Sequence, residues 1–65
     1  MQIDLNGQPA RTNAATLAAL IDERGYDAAS VTTALNGDFV PRSARANTGL
    51  TEGARVEVVS PMQGG

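Results

Sequence analysis

A chain of 65 residues with neither cysteine nor histidine has no disulfide staple and no Cys/His metal clip. Backbone pairing and a small apolar core must hold it, and one domain of this size buries only roughly 60% of the surface its unfolded chain exposes. A compact, regular architecture follows. The same absences bound the chemistry, because no imidazole base, thiolate nucleophile or zinc site can be built. The expectation is a protein that is not an enzyme and holds no metal. Five arginines, no lysine and seven acids give a net charge of −2, with no basic stripe to neutralise phosphates. Nucleic acid is therefore not an expected partner. Met1-Gln2-Ile3-Asp4-Leu5 lacks the basic segment and apolar run of a signal peptide, and no run of ~18 apolar residues occurs. A cytoplasmic protein without a membrane partner is expected.

Met1, Ile3 and Leu5 alternate with polar residues, the period of a half-buried strand, and Asn6-Gly7 favours a type I′ hairpin into a second strand over Gln8–Arg11. Leu17, Leu20 and Ile21 then fall at i, i+3 and i+4. They predict one short amphipathic helix, with Thr16 or Asn13 as N-cap and Gly25 at C′. Val31, Thr33 and Leu35 alternate as a long strand, Asn36-Gly37 turns, and Asp38-Phe39-Val40 forms a stub that Pro41 stops. The polar, alanine-rich stretch 42–53 reads as loop with one helical turn, anchored by Leu50. Val56 and Val58 mark a last strand over Arg55–Ser60. The fold class predicted is α+β, a mixed sheet of four to five strands packed on one helix, in a β-grasp layout. The domain spans 1–60, and 61–65 is a flexible tail ending in Gly64-Gly65.

Few residues offer chemistry. Asp22 and Glu23 are adjacent on the helix, so they splay rather than converge as an acid/base pair would, and read as solvated surface. The two Asn-Gly pairs lack the spacing of phosphate-binding loops and read as turns. Arg42, displayed after Pro41, is either a solvated arginine or a guanidinium that docks a partner's carboxylate. The terminal Gly64-Gly65 is either a frayed end or an unbranched carboxylate that can be threaded. An enzyme that activates a carboxylate must bring it in line with the α-phosphate of ATP in a narrow groove, where a Cβ would obstruct. Glycine fits that requirement.

The helix start Thr16-Leu17-x-x-Leu20-Ile21, the stretch Asn36-Gly37-x-Phe39-Val40-Pro41-Arg42, the strand Val56-Glu57-Val58-Val59 and terminal Gly64-Gly65 together resemble ThiS-type sulfur carriers, a ubiquitin-like β-grasp family. The chain departs from the family's pattern at Ser43-Ala44-Arg45, where an aromatic often follows Pro-Arg, and at Glu52-Gly53-Ala54, where an acid pair is common. The resemblance implies that Gly65 is the covalently modified residue. An E1-like (ThiF-like) adenylating enzyme turns its carboxylate into an acyl-adenylate using ATP bound by that partner. Sulfur drawn from cysteine by a desulfurase then gives a thiocarboxylate, and a ThiG-like thiazole synthase takes the sulfur for the thiazole of thiamine. The carrier is a co-substrate and binds no cofactor itself, and Gly64 serves tail recognition. The alternatives are a carrier for molybdopterin synthesis or another thiolation pathway, or a ubiquitin-like modifier that conjugates through Gly65.

Ordering the tail costs roughly 1–2 kcal/mol per residue, and fully extended it reaches at most about 17 Å, so the folded domain must dock beside the partner's active site. With Ile3, Leu5, Val31, Leu35, Val56 and Val58 facing the helix, alternation turns Ala34 and Val59 to the opposite sheet face, where Phe39 joins them. These residues and Arg42 are the candidate docking surface. Scattered surface hydrophobes are the competing reading.

Overall fold

The computed structural model describes residues 1–61. Strands β1 (Gln2–Leu5) and β2 (Gln8–Arg11) are followed by helix α1 (Leu17–Glu23), strands β3 (Thr32–Leu35) and β4 (Asp38–Val40), a 3-10 helix (Arg42–Asn47) and strand β5 (Arg55–Val59). They form one five-stranded sheet in the order β2-β1-β5-β3-β4. The central pair β1 and β5 is parallel and the other pairs are antiparallel, so the sheet is mixed as expected.

Local signals account for most of these elements. Asn6 and Gly7 have φ of 53° and 83°, and Asn36 and Gly37 have 51° and 90°. Both pairs lie in the left-handed region that a two-residue hairpin needs and that asparagine and glycine tolerate. Thr16 is the N-cap of α1, its Oγ1 accepting from the Ala19 N–H at 3.1 Å. At the other end Gly25 N–H donates to Asp22 O and Tyr26 N–H to Ile21 O, both at 3.1 Å. That pattern is a Schellman motif, and it requires Gly25 to adopt its φ of 74°.

Leu17, Leu20 and Ile21 of α1 pack on Ile3, Val56 and Val58, with Val31, Val40, Leu50, Ala14 and Ala54 completing the core. Leu5 and Leu35 face the same way but are half-buried at its margin. Leu50 anchors its segment as expected: Leu50 N–H donates to Ala15 O, and Leu17 N–H to Thr48 O, each at 2.9 Å.

Three boundaries differ from the sequence reading. The third strand is short and begins at Thr32, because Val31 N–H is turned back to Asp27 O at 3.2 Å. The last strand ends at Val59 rather than Ser60. Between them, the single helical turn expected after Pro41 is a six-residue 3-10 helix. Pro41 opens it with φ −67°, Ala44 N–H donates to Pro41 O at 2.9 Å, and the Arg45 side chain folds into the interior.

Candidate functional site

The sheet has one face on α1 and one that no other described element covers, and the second collects the residues singled out for docking. Phe39 on β4 lies directly opposite Ala34 on β3, and Ala34 lies opposite Glu57 on β5. One register step along, Thr32 lies opposite Val59. Direct cross-strand neighbours sit about 5 Å apart and diagonal ones about 7–8 Å. Phe39, Ala34, Thr32 and Val59 therefore form one patch. Phe39 is 69% exposed and Val59 61%, and they are the large hydrophobic side chains left open among the described residues. Ala34, flanked on both sides, is half-buried.

Arg42 is exposed at the first position of the 3-10 helix, beyond the Val40-Pro41 end of β4. Its charge also faces Asp27. The Asp27 carboxyl is held below the usual range mainly by the Ser30 hydroxyl, which donates to it at 2.8 Å, then by the Ala29 N–H at 3.1 Å, with Arg42 as a smaller contribution. Gly64 and Gly65 lie outside the described residues.

Some contacts that shape this end of the sheet have no counterpart in the sequence reading. Asn6 is more than a turn residue: its Nδ2 donates to Val58 O at 3.2 Å and its Oδ1 accepts from Val58 N at 2.8 Å. Backbone pairing of β1 with β5 stops at Leu5–Val56, so the carboxamide stands in for the next strand residue. It satisfies the backbone one residue before Val59, where β5 ends. The signal available in the sequence was the choice of Asn over Asp, since only the amide has both a donor and an acceptor.

Arg45 is 4% exposed. Its Nε donates to Thr33 Oγ1 at 3.0 Å, Nη1 to Ala28 O at 2.9 Å and Nη2 to Val31 O at 2.8 Å. Thr33 Oγ1 in turn donates to Val40 O at 2.8 Å. One guanidinium thus ties the 3-10 helix to the helix–strand connection and to the core face of β3. Among the described residues no buried side-chain N or O lacks a partner. Nothing in the sequence separates this arginine from a solvated one.

Glu23, read as solvated, is also engaged. Its carboxylate accepts from Thr12 Oγ1 at 2.6 Å and from Asn13 N–H at 3.2 Å, and these bonds lower its pKa more than burial raises it, with the neighbouring Arg24 adding a smaller lowering. It stays exposed, as read, and also fastens the end of α1 to the loop that leaves β2. Asp22 is exposed. Among the described residues no three His, Cys, Asp or Glu side chains gather where they could hold a metal ion. No helix among them is long and apolar enough to cross a membrane.

Among the described residues the open sheet face offers an exposed contact surface. Residues 3–65 match the ThiS family. No curated protein matches the chain at a significant level. Among solved structures, the crystal structure of the thiamine biosynthesis protein ThiS from Geobacter metallireducens is 30% identical, with both chains covered in full and a TM-score of 0.83. The solution structure of a thiamine biosynthesis protein from the same organism is also 30% identical, covering 100% of this chain and 88% of that one, with a TM-score of 0.84. The order of elements and the mixed sheet on one helix are the β-grasp of that group, and the family match spans nearly the whole sequence: the chain belongs to the ThiS family.

Proposed function

We propose that this protein is a sulfur carrier of thiamine biosynthesis whose working group is the carboxylate of Gly65. The observation that carries this reading is that the ThiS match runs through residue 65, and so includes the Gly64-Gly65 end. The similar solved structures are named as thiamine biosynthesis proteins, which points to the thiamine branch. A carboxylate is a poor electrophile until its oxygen becomes a good leaving group. An E1-like adenylating enzyme achieves this: the Gly65 carboxylate attacks the α-phosphate of ATP, releasing pyrophosphate and leaving an acyl-adenylate. The persulfide sulfur supplied by a cysteine desulfurase then displaces AMP to give an acyl disulfide, and a thiol cleaves it, releasing the thiocarboxylate while the two remaining sulfurs pair as a disulfide. Thiazole synthase takes the sulfur and returns the carboxylate. Gly64 contributes by having no Cβ to obstruct a narrow groove. The partner supplies the catalytic groups and binds the ATP, and this chain acts as co-substrate.

The test is the intact mass of the protein after incubation with a ThiF-like enzyme, ATP and a desulfurase with cysteine. The expected product carries one sulfur in place of one oxygen, localised to Gly65. An unchanged mass with competent partners, or higher-mass adducts linked through Gly65 to other proteins, would overturn the carrier reading.

A further inference from the structure

The chain contains the dipeptide Asn-Gly twice, at 6–7 and 36–37, and the fold treats the two differently. Asn-Gly is chemically labile. With no side chain on the glycine, its amide nitrogen can attack the asparagine Cγ, expelling ammonia and closing a succinimide. Water then opens the ring to aspartate or isoaspartate, so that one water is consumed and one ammonia released without any oxidant or reductant. The attack requires the carboxamide to leave its native partners and the turn to open locally.

At Asn6 both ends of the carboxamide are engaged by Val58, and the backbone N–H donates to Val56 O at 2.9 Å. β5, in the middle of the sheet, holds both turns. At Asn36 only Oδ1 is engaged, accepting from Arg55 N at 2.9 Å, while the backbone N–H donates to Arg55 O at 2.7 Å. Among the described residues Asn36 Nδ2 has no partner, while each turn leads into an edge strand, β2 of four residues after Asn6 and β4 of three after Asn36. Freeing the Asn36 carboxamide and backbone N–H breaks two hydrogen bonds, where freeing those of Asn6 breaks three.

We propose that Asn36 is a site of spontaneous modification in the folded protein, deamidating through a succinimide with Gly37, and that the Val58 clamp protects Asn6 in the same dipeptide. The consequences also differ. Aspartate at 36 keeps the oxygen that accepts from Arg55, whereas aspartate at 6 sets a carboxylate against Val58 O.

Cleavage after arginine separates the two sites, Asn6 falling in residues 1–11 and Asn36 in 25–42. The full chain is incubated at mildly alkaline pH, digested, and each peptide assayed by mass for aspartate and isoaspartate over time, in native buffer and in strong denaturant. In native buffer Asn36 is expected to convert several-fold faster than Asn6, and in denaturant the two rates are expected to converge. Equal rates in native buffer, or faster conversion of Asn6, would overturn the proposal. So would the same Asn36 excess in denaturant, which would assign the difference to flanking sequence instead of the fold.

Discussion

Two side chains do work that their residue type does not announce. Asn6 pairs with the Val58 backbone as a strand residue would, whereas Asn36 gives Arg55 an acceptor only. The same change therefore has unequal effects. Asn6→Asp removes the donor to Val58 O and leaves that carbonyl facing a charge, a loss of about 1–3 kcal/mol, while Asn36→Asp preserves its single contact and is expected to cost much less. Urea unfolding of the two variants checks this, and comparable losses would mean that the carboxamide clamp contributes little. Arg45 makes the complementary point. Its buried guanidinium donates to two carbonyls and a hydroxyl, so it fastens the 3-10 helix to β3 and to the connection before it. A long apolar stem and a planar, three-way donor fit such a slot, but the sequence offers no neighbouring acid from which to infer burial.

At the level of elements, what was legible followed from local rules. Asn-Gly pairs fixed both hairpins, Thr16 and Gly25 bounded α1, and alternation sorted the strand faces correctly, down to Phe39 on the outer side of β4. What was not legible depended on partners distant in sequence. The 3-10 helix is held by Arg45 reaching β3, the third strand is cut short by Asp27, and Glu23 is a tether because Thr12 happens to face it. That last contact gives α1 a pH dependence. Hydrogen bonds from Thr12 and Asn13 lower the Glu23 pKa, as those from Ser30 and Ala29 lower that of Asp27. A carboxyl with a depressed pKa in the folded state contributes stability that is present above its unfolded value, ~4.3 for Glu and ~3.9 for Asp, and lost as pH falls through the folded value. Stability should therefore be level near neutrality and decline below about pH 4.5, with Glu23→Gln flattening part of that decline. Thermal unfolding between neutral and acid pH measures it, and an acid limb identical in the variant would show that the tether does not titrate with folding.

On the proposed function, the question for the whole molecule is how a carrier domain would present its C-terminal end to an adenylating enzyme. Ordering that end costs roughly 1–2 kcal/mol per residue, so the tail by itself binds weakly and affinity has to come from the folded surface. The candidate surface is the open sheet face, where Phe39 and Val59 are 69% and 61% exposed on a rigid three-strand ladder, with Ala34 and Thr32 between them. Arg42 stands at the adjacent corner and offers a charge to the rim. Val59 closes β5, so the same strand that carries the patch leads into the tail, and docking there fixes where the chain end begins. With the proposed adenylating enzyme docked on this face, burying either side chain would contribute about 1.5–3 kcal/mol. Phe39→Asp or Val59→Asp should lower kcat/KM for adenylation by about tenfold or more, mostly through KM. Because neither side chain belongs to the core, far-UV circular dichroism and Tm should stay close to the parent values. Unchanged kinetics in both variants would move the docking surface elsewhere, and a fall confined to kcat would indicate that the patch aligns the tail instead of supplying affinity.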